Sequence, residues 1–157
     1  MKGIEMMMTA AMCLLSVLCG CMSEQNNPTQ AAPAVTAIGV YETREIHVDR
    51  DGMDIYGIAH VPTGVEGKMP VVILSHELGA TLDRVKGYGE ALAEAGYVTV
   101  CFDFCGGGYG SRSDGDVLDM SVLTEKADLE AVLAEVQTWD FVDADSIYLM
   151  GNSQGGL

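Results

Sequence analysis

Ser146-Ile147-Tyr148-Leu149-Met150-Gly151-Asn152-Ser153-Gln154-Gly155 is the stretch whose reading decides the fold. An apolar, strand-like run stops at a glycine, a serine follows two residues on, and a second glycine two residues after that. A G-x-S-x-G pattern directly behind a buried strand marks a sharp strand-to-helix turn that pushes the serine hydroxyl out of the sheet edge. The two glycines have a mechanical reason. The turn holds Ser153 in an unfavourable backbone conformation, and side chains two residues before and after it would collide with neighbouring backbone. The competing reading is a plain or phosphate-binding glycine turn, but the chain has neither G-x-G-x-x-G nor a P-loop lysine.

Working backwards from that turn, strands and helices alternate. Arg44 to Val48 and Met53 to Val61 alternate in character and flank Asp49-Arg50-Asp51-Gly52, whose Asp-Gly step predicts a hairpin. Pro70 to Ser75 is a continuous, largely β-branched run, as expected of a strand covered on both faces. Leu82, Val85, Leu92 and Ala95 then recur near helical spacing and stop at Gly96. Tyr97 to Phe104 reads as a second buried strand and Ser146 to Met150 as a third. Between them, Ser121 is placed to cap a helix with Val122, Leu129, Val132, Leu133 and Val136 on one face. The fold class is therefore α/β, a doubly wound and mostly parallel sheet with an antiparallel N-terminal strand pair. Its functional edge is the C-terminal end of the parallel strands, where three loops leave: Ser75 to Ala80, Cys105 to Met120, and Gly151 to Gly156. The second is long for a structureless connection and is expected to border a substrate pocket.

The N-terminus reads differently. Met6 to Leu18 is an apolar run of 13 residues broken only by Thr9 and Ser16, too short to span a bilayer comfortably but suited to a signal peptide. Leu18-Cys19-Gly20-Cys21 resembles the bacterial lipoprotein signal, with Cys21 at the position that carries the lipid. Residues 1–20 are thus expected to be a lipoprotein-type signal peptide and 21–40 a flexible tether rich in Gln, Asn and Pro. The folded domain would be 41–157. The implied localisation is export, with a lipid anchor holding the chain to the outer side of the cell membrane.

The 157 residues carry 23 Asp and Glu against 8 Lys and Arg, a formal charge of -15 that removal of Lys2 and Glu5 with the signal would not alter. Such a surface repels phosphate backbones, so nucleic acid is not an expected partner. Asp114 to Asp145 holds ten carboxylates against Lys126 alone, and reads as a solvated face. Cys101 and Cys105, the two cysteines beyond the signal, have no companion ligands at metal-binding spacing, and read as a buried small hydrophobe and a loop thiol. His47 and His60, in the strand pair, read as surface or half-buried.

Four features in order make the chain resemble the α/β-hydrolase family, and within it bacterial serine esterases of the cinnamoyl and feruloyl type and their serine-aminopeptidase-like relatives. They are the strand Val71 to His76, the helix end Ala91-Leu92-Ala93-Glu94-Ala95-Gly96-Tyr97, the segment Phe102-Asp103-Phe104-Cys105-Gly106-Gly107-Gly108 with Ser111, and the elbow itself. The resemblance covers about Tyr41 to Leu157 and implies an α/β-hydrolase fold truncated after the nucleophile elbow. It implies hydrolysis of a small-molecule carboxylic ester through an acyl-enzyme on Ser153, without metal or other cofactor. By position, the oxyanion would be held by the backbone N–H groups of Gln154 and Leu78. Glu77 stands where the family usually has glycine, and is expected to point outward. A triad of Ser153, His76 and Asp103 is not expected. In the family that histidine braces the oxyanion loop, and the catalytic acid and histidine follow the nucleophile in chain order, here beyond Leu157. The alternatives are a peptidase of the same fold and a catalytically inactive lipoprotein fragment.

Overall fold

The structure, a computed structural model, describes residues 39–157. The expected signal peptide, Cys21 and residues up to 38 of the tether lie outside the described residues.

Five strands form one sheet in the order β1-β2-β4-β3-β5: β1 (Tyr41–Arg50), β2 (Met53–Pro62), β3 (Met69–Ser75), β4 (Val98–Phe102) and β5 (Val142–Gly151). β1 and β2 form the expected hairpin, closed by the pair Arg50 and Met53, with only Asp51 and Gly52 in the turn. Both turn residues have positive φ, 55° and 85°. That conformation matches the turn to the strand twist, and the Asp-Gly step supplies it cheaply. β2 runs antiparallel to β4, whereas β3 runs parallel to β4 on one side and to β5 on the other.

Helix α1 (Asp83–Glu94) connects β3 to β4, and α2 (Val122–Val136) connects β4 to β5. The pleat divides the strand residues between them. Val71 and Ile73, with Val98, Val100 and Phe102, share a cluster with Val132 and Val136 of α2. Val72, Leu74 and Cys101 share the other with Leu82 and Val85 at the α1 end. The crossover through α1 goes from β3 to its neighbour β4, and the crossover through α2 goes back from β4 past β3 to β5. The winding therefore reverses at β3, the kind of switch point beyond whose strand ends sites of such sheets lie.

Four expectations need correction. β5 is not a third buried strand: Tyr148, Leu149 and Met150 are 51%, 59% and 37% exposed. It pairs with β3 along one side, and among the described residues no strand pairs with its other side. The buried residues of α2 are Glu125, Asp128, Val132 and Val136, while Val122 is exposed. The helix is rotated so that two carboxylates face inward to partners on other elements, which apolar periodicity does not register. For the same reason the acidic stretch is not wholly a solvated face. Finally, His60 is fully buried, between β2 and α1, with its Nδ1 3.0 Å from the Thr99 hydroxyl. Thr99 in turn donates to the Gly89 carbonyl of α1, so Nδ1 carries the proton that Thr99 accepts.

Candidate active site

The ladder between β3 and β5 ends at Ser75 and Gly151, and Asn152 N–H donates to the Ser75 carbonyl at 3.0 Å. The turn after β5 is thereby stacked on the exit of β3. Ser153 follows with φ of 50°, and with Asp51 it is one of the two non-glycine residues of positive φ among the described residues. A short 3-10 turn, Ser153–Gly156, begins at the serine and leaves it exposed. Its neighbours leave no latitude. A Cβ on Gly151 would collide with the Gly155 carbonyl, and one on Gly155 with the carbonyls of His76 and Ser75. A strained serine between two close backbone approaches is the geometry the sequence pattern predicts.

The loop after β3 lies beneath this turn. His76 is fully buried, and both ring nitrogens are engaged: Nδ1 with the Glu77 carbonyl at 2.8 Å and Nε2 with the Phe104 backbone N–H at 3.2 Å. A carbonyl requires a donor and an N–H requires an acceptor, so this network assigns the proton to Nδ1. His76 therefore braces the loop and has no free nitrogen for a reacting hydroxyl. The Glu77 carbonyl also accepts from Ala80 N–H at 3.2 Å, which folds the loop into a turn. Leu78 N–H, inside that turn, and Gln154 N–H, at the start of the 3-10 turn, have no hydrogen-bond acceptor among the described residues.

Asp103, at the end of β4, is 2% exposed and spends its carboxylate on two backbone groups. Oδ1 accepts from Leu82 N–H at 2.7 Å and Oδ2 from Arg112 N–H at 2.9 Å. It thus pins the entry of α1 to the long loop that follows β4. That loop is further fixed by Gly108 N–H on the Ala80 carbonyl and by Ser113, which accepts from Tyr56 N–H and donates to the Asp103 carbonyl. Arg112 closes it from outside, stacked 3.5 Å from the Tyr56 ring centroid and bonded to Glu45.

Gln154 turns its side-chain amide onto both oxygens of the buried Glu125, at 2.9 Å each. A hollow of about 210 Å³ beside it is walled by Val122, Glu125, Leu129, Gln154, Gly155 and Leu157, with Lys126 at its rim. Its described walls come from α2 and the elbow, while Cys105, Gly106, Gly115, Asp116 and Asp119 of the long loop line a separate hollow of about 170 Å³ with Arg50, Met53 and Thr124. A larger hollow of about 330 Å³ lies between β1 and the segment Glu135 to Phe141 and shares no residue with the elbow.

Cys101 and Cys105 are both free and buried. Burial pushes the Cys101 thiol up to about 12 and that of Cys105 up to about 11, the latter helped by the nearby Asp128 carboxylate. Neither is a thiolate at neutral pH, so neither competes with Ser153 as a nucleophile. Cys105 lies in the loop after β4, as its sequence position suggests, and its side chain is buried in the core. Sequence reasoning also passed over Asn152, Arg84 and Glu125, which touch the elbow or its loop. Only the positions of Asn152, inside the motif, and Glu77, departing from it, carried any signal.

No protein-family profile matches the chain, and no curated protein matches it in sequence. Solved structures do. Est1E from Butyrivibrio proteoclasticus with ferulic acid bound superimposes with a TM-score of 0.64 at 28% identity, over 71% of this chain and 43% of that one. A dienelactone hydrolase-like promiscuous phosphotriesterase, P91, from metagenomic libraries gives 0.61 at 19% identity, over 75% of this chain and 52% of that one. A 2,6-dihydroxy-pseudo-oxynicotine hydrolase gives 0.58 at 23%, over 75% and 31%. The last two matches establish shared architecture. The chain spans less than half the length of Est1E.

Proposed function

We propose, from the premise that the chain is an esterase-like member of the α/β-hydrolase family, that it carries the nucleophile of a serine hydrolase acting on carboxylic esters. The observation that carries this reading is the positive φ of Ser153 between two glycines whose Cβ positions are filled by backbone. Strain of this kind persists where the surrounding structure over-determines it, and it sets the hydroxyl above the sheet edge.

In the proposed reaction, Ser153 Oγ loses its proton to a histidine and bonds to the ester carbonyl carbon. The carbonyl electrons move onto oxygen, where the N–H groups of Leu78 and Gln154 receive the charge. The alkoxide leaves with the proton from the histidine, and water repeats the sequence on the acyl-serine to release the acid. The histidine and its carboxylate partner would come from polypeptide beyond Leu157. Support lies in the chain's three histidines: His47 on β1 pairs with Asp54 on β2, His60 is buried against Thr99, and His76 is engaged at both nitrogens. The same fact favours inactivity of the 157 residues alone.

A fluorophosphonate probe tests both parts. With the polypeptide of the complete reading frame, peptide mapping should find the adduct on Ser153, and Ser153→Ala should abolish it. An adduct elsewhere, or one that survives the substitution, overturns the assignment. The 157-residue chain alone should label far below stoichiometry. Export and lipid attachment at Cys21 are part of the same proposal, supported by the sequence of residues 6–21. They predict partition into the detergent phase that Cys21→Ala reverses.

A further inference from the structure

The two N–H groups assigned to the oxyanion belong to separate loops, and the ladder joining β3 to β5 stops before either is reached. One side chain bridges the gap. Glu77 Oε2 accepts from Asn152 Nδ2 at 2.9 Å, across 75 positions of sequence, while Glu77 Oε1 accepts from Arg84 Nε at 2.9 Å. Each carboxylate oxygen has its own donor, one from the elbow and one from α1. Glu77 is the residue before Leu78, and Asn152 is two before Gln154. The bridge therefore sits next to both oxyanion donors and ties the segments that carry them.

We infer that Glu77 is a positioning residue, whose carboxylate fixes the spacing of the Leu78 and Gln154 N–H groups by holding Asn152, with Arg84 as its counter-charge. The inference rests on the reading of Ser153 as nucleophile. It also answers why an acidic residue is tolerated beside a centre that develops negative charge. Both oxygens are committed to donors, the guanidinium balances the charge, and the main chain of Glu77 receives His76 and Ala80. An exposed ion pair of this kind adds little to global stability. Its effect should instead appear in local geometry, where small displacements of a reacting group lower rates strongly.

The donor and acceptor roles of the bridge can be exchanged without altering its shape. Asn152→Asp places two carboxylates face to face. Glu77→Gln keeps an acceptor but turns an amide N–H toward one of the two donors. The double variant E77Q/N152D restores both bonds, the position-77 amide now donating to position 152 and its oxygen accepting from Arg84. In the 157-residue chain, the Leu78 and Gln154 amide resonances should both move in N152D and return in the double variant, with the melting temperature nearly constant. In the complete polypeptide, labelling of Ser153 should fall about tenfold or more in N152D, as expected for a misplaced reacting group, and recover to within about threefold in the double variant. Unmoved resonances in N152D, or a double variant no better than the singles, overturn the inference. If the wild-type polypeptide does not label at Ser153, the nucleophile reading fails, and the resonances still decide whether the bridge sets the two amides.

Discussion

Asp128 and Arg50 form a buried ion pair between α2 and the end of β1, and the second Asp128 oxygen accepts from Cys105 N–H at 2.9 Å. Asp128 is wholly buried. Burial pushes its carboxyl up, against the downward pull of the Cys105 N–H and of Arg50. The pair fastens the start of the long loop to both the hairpin and α2. Removing one partner leaves the other charge buried alone, so Asp128→Ala should cost about 3–5 kcal/mol. Urea unfolding monitored by Trp139 fluorescence measures this, and a loss below about 1 kcal/mol would mean the charge is not desolvated.

Stability should also fall on mild acidification, through His60. Burial holds its pKa below the ordinary histidine value, with Glu90 pulling upward and Lys86 downward. The unfolded chain therefore takes up a proton that the folded chain resists. Stability is full above about pH 6.5 and declines as pH drops through that value toward the lower folded pKa. Urea midpoints between pH 7.5 and 5.5 should show this slope, and His60→Gln should flatten it. A slope unchanged by the substitution assigns the effect elsewhere.

Two glycines of α1 should respond in opposite directions to the same change. A Cβ on Gly87 meets nothing within 4 Å, whereas one on Gly89 lies 2.7 Å from Cys101 Sγ, in the close contact between α1 and β4. Gly87→Ala should stabilise by about 0.5–1 kcal/mol through helix propensity. Gly89→Ala should destabilise by about 1–3 kcal/mol through overpacking. Paired thermal melts decide it, and equal shifts would contradict the packing of α1.

The Glu77 bridge should have an acid limit. The Arg84 hydrogen bond first, then the backbone and the Asn152 amide, hold its carboxyl below the ordinary glutamate range despite some desolvation. With a depressed folded pKa, the bridge is present above the unfolded value and is lost as pH falls through the folded one. The Asn152 side-chain amide resonances should stay constant down to about pH 4.3 and shift only below it. A shift centred above that value would show an unpaired carboxyl.

The sequence by itself determined the order of elements, the Asp51-Gly52 hairpin turn, the Ser121 cap and the position of the serine turn. Each of these is a local matter of backbone sterics, short-range hydrogen bonds or pleat and helix period, visible within a few residues. The resemblance of four ordered segments extended this to the architecture. What only the tertiary structure decided were the long-range partners: Asp128 with Arg50, Glu125 with Gln154, His60 with Thr99, and Glu77 with both Arg84 and Asn152. A polar side chain buried or bridged in this way looks in sequence like any solvated one, because what permits its burial is a donor or acceptor brought near by the sheet from a distant part of the chain.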